Sequence, residues 1–174
     1  NVLQSFDFVV SDRVATLAWN NHRHLETWYG ISGSGLICHT INPRLFPEQL
    51  TYIINDANDK ALIFDKTFLN LVLSIKDSLP YIEHFICLDA YDEKIQNAFP
   101  EVLFYDELIE SQSAHFDWPE LDESKASSLC YTSGTTGHPK GVLYSHRSTV
   151  LHSYATCLSD SFNFSAKDCI LPVV

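Results

Sequence analysis

Ser127-Ser128-Leu129-Cys130-Tyr131-Thr132, then Ser133-Gly134-Thr135-Thr136-Gly137-His138-Pro139-Lys140-Gly141, then Val142-Leu143-Tyr144-Ser145 is the stretch that decides the reading of this chain. An apolar run of strand character enters a polar segment and a second short apolar run leaves it. Between Thr132 and Gly141 stand three glycines, four serine or threonine hydroxyls and one lysine. Glycine permits positive φ angles and close approach, so successive backbone amides can converge on an anion. The hydroxyls add donors, and Lys140 adds a compact positive charge. The spacing is not that of the nucleotide-triphosphatase P-loop, which needs four residues between its first glycine and a Gly-Lys-Ser/Thr triplet. Here Gly137 follows Gly134 by three and Lys140 follows Gly137 by three. Taken without its flanks, such a loop fits an ordinary turn as well as a phosphate cradle.

Outward from that stretch, short β-rich runs alternate with helical patterns. Arg13 to Trp19, Leu36 to Ile41, Ala61 to Phe64, His84 to Leu88, Ser127 to Thr132, Val142 to Ser145 and Cys169 to Val173 read as strands. His22 to Ser32 reads as a helix, with apolar Leu25, Trp28 and Tyr29 at i, i+3 and i+4. Pro47 to Ala57 opens with proline at a first-turn position followed by Glu48, Lys66 to Leu79 stops at Pro80, and Ser145 to Phe162 is the longest helical candidate. This alternation predicts an α/β fold, a largely parallel sheet with helices on both faces. The polar, acidic stretch from Ser111 to Ser124, punctuated by Pro119, reads as an irregular connection.

The net charge of −11 is unevenly spread. From Asp89 to Glu123 there are eleven acids and one base, a net −10, read as solvated face and loops. From Ser124 to Ser159 there are no acids and three bases, Lys125, Lys140 and Arg147. So acidic a chain repels nucleic acid, yet its one acid-free stretch can hold a small polyanion, and the glycine-rich segment lies inside it. No window approaches the apolar length of a membrane span. Five cysteines form no CxxC pair, which argues against a disulfide framework or a zinc knuckle and for a reducing, cytoplasmic setting. Each stands in or near an apolar run and reads as buried filler.

At Thr132 to Gly141 the sequence resembles the adenylate-forming, or AMP-binding, superfamily, whose signature Thr-Ser-Gly-Thr-Thr-Gly-x-Pro-Lys-Gly is matched throughout, with His138 at the variable place. Arg13 to Asn20, His39-Thr40-Ile41-Asn42-Pro43-Arg44-Leu45 and Tyr144 to Thr149 look like the branch that activates medium- and long-chain fatty acids. The resemblance implies an ATP-dependent acid:CoA ligase with ATP, Mg2+ and CoA as cofactor and co-substrates and a fatty acid as substrate. It implies that Thr132, Ser133, Gly134, Thr135, Thr136, Gly137 and Lys140 hold the β- and γ-phosphates, with the Thr132 hydroxyl as a Mg2+ contact. On this reading residues 1–174 are part of a large N-terminal domain. The C-terminal domain and the catalytic residues lie elsewhere, and the segment alone is inactive. Two rivals remain open: an adenylate-forming enzyme with another acceptor, and a non-catalytic, self-associating module, such as a homodimer.

Other candidates carry bland readings beside the sharp ones. His22 and His24 fall about 200 degrees apart around a helix and do not readily share a ligand, so they read as solvated or capping residues. His146 and Arg147 read equally as a contact to an anion or a partner subunit, or as a helix start. Trp19, Trp28 and Trp118 read as core or cover.

Overall fold

A computed structural model describes residues 1–132 and 138–171 of the chain. Its centre is a seven-stranded sheet in the order β5-β4-β3-β1-β2-β6-β7. The strands are β1 (Arg13–Leu17), β2 (Ile37–Thr40), β3 (Ala61–Phe64), β4 (His84–Cys87), β5 (Val102–Phe104), β6 (Ala126–Thr132) and β7 (Lys140–Ser145). The first six are parallel, and β7 runs antiparallel to β6. That reversal follows from the connection: residues 133–139 are too few for a parallel crossover, which needs a dozen or more residues.

Central parallel strands are covered on both faces, so their residues are apolar without strict alternation. On one face Val14 and Ala18 pack with Ile31 of α1 (His22–Gly33). On the other, Ala15 and Leu17 pack with Leu50, Ile53 and Ile54 of α2 (Pro47–Ala57), Val72 and Ile75 of α3 (Leu69–Ile75), and Ile95 of α4 (Glu93–Ala98). α1 carries the chain from β1 to β2, and α2 then carries it back past β1 to β3. The connections leaving β1 and β2 pass to opposite faces of the sheet, which opens a crevice beyond their carboxyl ends.

Helix starts obey local chemistry. Asn21 accepts from the His24 amide at 3.0 Å ahead of α1, so Asn21, not a histidine, caps that helix. α2 has Pro47 in its first turn, and the Gln49 side chain accepts from the Phe46 amide at 3.1 Å. Ser145 accepts from the Ser148 amide at 3.0 Å and caps α6 (His146–Cys157).

Several expectations are corrected. The apolar stripe of α1 does not face the core: Leu25 and Tyr29 are 60% and 61% exposed, and Thr27, Ile31 and Ser32 are buried instead. Lys66 to Leu79 is an α-helix only over Leu69–Ile75, with 3-10 turns on either side. The last helix ends at Cys157, not Phe162. Cys169 to Leu171 is not in the sheet, having strand composition but no partner strand, and residues 172–174 lie outside those described. The acidic segment holds α4, β5 and α5 (Tyr105–Glu110), elements of three to six residues that are too short for periodicity to register. Cys157 and Cys169 are exposed, whereas Cys38 and Cys87 are buried and burial pushes their thiols up to about 12.

Beyond β6 the layers thin out. Val142, Leu143 and Tyr144 on β7 and Val150, Leu151 and Tyr154 on α6 are all exposed, and α6 buries no residue. An open strand edge beside an apolar face promotes association. The purified 174-residue chain should therefore show an apparent mass by light scattering that grows with concentration. A monomer mass at every concentration would show that this face is not adhesive. Among the described residues no helix is long and apolar enough to cross a membrane.

Candidate functional site

The β6 and β7 strands form a hairpin whose register pairs Tyr131 with Gly141 and Thr132 with Lys140. The first residue of the glycine-rich motif and its lysine thus stand opposite each other at the mouth of the loop, and both are exposed. Of the other expected phosphate contacts, Ser133, Gly134, Thr135, Thr136 and Gly137 lie outside the described residues. Gly141 has a reason to be glycine: a Cβ there would meet Tyr131 Cζ at 3.2 Å and Leu129 Cδ1 at 3.1 Å. The Tyr131 ring lies across the strand pair in the space that a side chain would take.

Tyr131 is held from the side of α2 as well. Its hydroxyl donates to Asp56 Oδ2 at 2.6 Å, and its ring centroid lies 5.1 Å from the His39 ring. Burial first, and the Asp56 hydrogen bond second, push the phenol above its ordinary range. His39 on β2 is itself fixed, with Nδ1 2.7 Å from Asp59 Oδ2 and both side chains fully buried. Burial raises the Asp59 carboxyl, against the opposing pull of the His39 hydrogen bond. Beyond the loop, His138 stacks on Tyr52 of α2, with ring centroids 4.7 Å apart and planes at 25°.

A cleft of about 940 Å³ opens beyond the carboxyl ends of β1, β2 and β6. Trp19, His24, Trp28, Thr40, Arg44 and Tyr131 are among its walls, and no aspartate or glutamate is. In a chain of net charge −11 that sign selection matters: the cleft can accept an anionic or neutral ligand with aromatic or apolar parts. Trp19 is placed by a 2.9 Å hydrogen bond from Nε1 to Thr67 Oγ1. His24 Nε2 is 3.1 Å from Thr16 Oγ1, and burial holds its imidazole below the ordinary value despite a hydrogen bond that the ring donates to the Trp19 backbone. The neutral form of His24 is thereby favoured, and the fixed positive charge of the cleft is Arg44.

His22 and His24 both line this cleft. Trp19 and Trp28 line the cleft, Trp28 also packing against the core as expected, and Trp118 is a cover, lying over Gly33 so closely that a Cβ there would be 2.5 Å from Trp118 Cζ3. Arg147 pairs with Glu123 and its amide donates to the Glu123 carbonyl at 2.8 Å, which serves the helix start rather than an anion. Tyr52, Asp56 and Asp59 drew no functional attention in sequence, and His39 and Arg44 drew it only as part of a string that resembles the family branch, because each acquires its neighbour only through the sheet order.

The AMP-binding enzyme family matches the chain over residues 1–174. The chain belongs to the AMP-binding enzyme family. It is 60% identical over 163 residues to a 3-methylmercaptopropionyl-CoA ligase of Ruegeria lacuscaerulensis, covering 94% of this chain and 30% of that protein. It is 55% identical over 164 residues to a medium-chain fatty acid:CoA ligase of Ectopseudomonas oleovorans, covering 94% and 30% respectively. Among solved structures it resembles an anthranilate CoA ligase in complex with anthranoyl-AMP, at a TM-score of 0.81 and 27% identity over 89% of this chain and 29% of the other. The chain thus spans about 30% of the length of the curated relatives it matches.

The groups present suit a polyphosphate: a threonine paired with a lysine across a hairpin mouth, within a stretch free of acids. For a divalent ion the same residues offer only the Thr132 oxygen. Among the described residues no group of three or more His, Cys, Asp or Glu side chains is placed to hold a metal ion.

Proposed function

We propose that the protein carrying this chain is an ATP-dependent acid:CoA ligase, and that Thr132, Ser133, Gly134, Thr135, Thr136, Gly137 and Lys140 hold the β- and γ-phosphates of ATP. The observation that carries this reading is the Thr132 to Lys140 pairing at the mouth of the glycine-rich loop, beside a cleft without carboxylates. In the first step a carboxylate oxygen of the acid attacks the α-phosphorus, the bond to the β-phosphate oxygen breaks, and pyrophosphate leaves. In the second, the CoA thiol attacks the acyl carbon, AMP leaves and the thiol proton is released. The chain's part is in the first step. Lys140 and the loop donors meet charge that grows on the departing phosphates, and donors fixed in advance need no rearrangement when the charge appears. Thr132 would give one oxygen to a Mg2+ ion accompanying the nucleotide, which when bound neutralises phosphate charge. On this reading residues 1–174 are part of the N-terminal domain, and the acyl, adenine and ribose contacts belong to further polypeptide, in keeping with relatives about three times as long.

The acid is proposed to be an unbranched aliphatic one. A medium-chain fatty acid follows the relative at 55% identity, and a short thioether acid follows the relatives at 60% and 56%. Exchange of labelled pyrophosphate into ATP by the full-length protein, run over a panel from 3-methylmercaptopropionate through octanoate to palmitate, tests both. Exchange that depends on one class of acid is expected; exchange that no carboxylic acid stimulates would sink the ligase reading.

A further inference from the structure

We propose that α2 is a clamp for the phosphate loop, its Tyr52 and Asp56 gripping the chain on either side and so fixing the paired Thr132 and Lys140 relative to the body of the protein. The inference rests on the phosphate reading above and adds to it the residues that position the loop. Tyr52 and Asp56 are i and i+4 on one helix, so both project from the same face. Asp56 takes the hydroxyl of Tyr131, immediately before Thr132, at 2.6 Å. Tyr52 stacks on the ring of His138, shortly before Lys140, at 4.7 Å between centroids. The helix that presents these two groups is anchored on its opposite side, where Leu50, Ile53, Ile54 and Ala57 are each at most 5% exposed. It is therefore a fixed platform against which the two ends of the loop are referenced.

The two grips are unequal. The entering strand is also wedged by the Tyr131 ring over Gly141 and by His39, which Asp59 holds. The leaving strand has less: Gly141, Val142, Leu143 and Tyr144 are all exposed. Apart from the β6–β7 ladder that pairs Lys140 with Thr132, the stack of His138 on Tyr52 is the tie described between this end of β7 and the body of the protein. The motif leaves position 138 variable, and here that position carries the contact. A misplacement of about 1 Å in a group that neutralises charge can cost much of its effect. Tyr52, Asp56, Tyr131 and His138 are accordingly positioning residues acting through Thr132 and Lys140.

The test is steady-state adenylation by the full-length protein, with kcat and KM for ATP and for the acid measured alongside thermal melting for H138A, Y52L, Y131F and D56N. An aromatic pair amounts to roughly a threefold to tenfold change in an equilibrium constant. H138A and Y52L should each lower kcat for adenylation by about that factor, with a smaller rise in the KM for ATP and with the KM for the acid and the melting temperature unmoved. The double variant should be no worse than either single one, because both remove the same contact. His138→Phe should restore the wild-type kcat. Y131F and D56N should act alike on the entering side. Unchanged ATP kinetics in H138A and Y52L, together with a large loss in K140A, would overturn the clamp and leave the phosphate loop standing. Loss in neither set overturns both readings. Parallel rises in both KM values with a lowered melting temperature would show that the contacts merely support the fold.

Discussion

Replacing Lys140 by Ala in the full-length protein should lower the rate of adenylation on the order of 10²-fold, about 3 kcal/mol of transition-state stabilisation. The magnitude follows from removing one donor fixed in advance toward a developing negative charge. The geometry says why this lysine rather than another carries the effect. It is paired with Thr132 at the loop mouth, is exposed to an incoming anion, and forms no ion pair among the described residues. Arg147, another base of the acid-free stretch, is occupied by Glu123. Because charge on the phosphates rises as pyrophosphate departs, the loss should fall mainly on kcat, with a smaller rise in the KM for ATP. Lys140→Arg should recover only part of the rate, since a planar fork does not occupy the place of a compact ammonium. Pyrophosphate exchange at saturating acid reads the effect, and a wild-type rate in K140A would remove the loop from the mechanism.

The 174-residue chain on its own should make no acyl-adenylate from ATP and any fatty acid. Bringing reactants together in the right geometry is worth roughly 7 to 11 kcal/mol of barrier, far beyond what one phosphate loop supplies. The described residues provide a hairpin mouth with one hydroxyl and one ammonium, and a cleft whose walls come from β1, β2 and β6. Nothing placed among them orients a carboxylate against an α-phosphorus, and the relatives have more than twice as much chain again. Binding and turnover should separate: weak association with ATP survives, because amides and Lys140 act locally, while fatty-acid-dependent pyrophosphate exchange stays at background. The full-length protein is the positive control. Exchange by the isolated chain within a few orders of magnitude of that control would show that the reacting groups lie within residues 1–174.

Much of the fold was legible in the residues. β3 and α2 have the limits read from sequence, because Ala61 to Phe64 is a compact apolar run and Pro47 with Glu48 marks a helix start. The misreadings have physical causes. Leu25, Trp28 and Tyr29 have helical spacing, but spacing does not say whether a stripe meets a core or a cleft; two of the three line no core because α1 packs through Thr27 and Ile31. Cys169 to Leu171 has strand composition, yet a strand exists only through a partner's hydrogen bonds.

What the sequence by itself determined is what depends on neighbours in the chain. That includes the alternation that makes a parallel α/β sheet, the glycine and hydroxyl run that suits phosphates, and the helix starts set by side chains within three residues. Only the tertiary structure decided what depends on distant ones. Tyr131 meets Asp56 across 75 positions, and Arg23 meets Asp106 across 83, because β1 and β2 occupy the middle of the sheet and draw both halves of the chain to them. The absence of carboxylates from the cleft is likewise a result of strand order, which brings Arg44, Trp19 and Tyr131 to one end of the sheet. Local periodicity carries no information about strand order, because order is set by which apolar faces bury best against one another once the whole chain has collapsed.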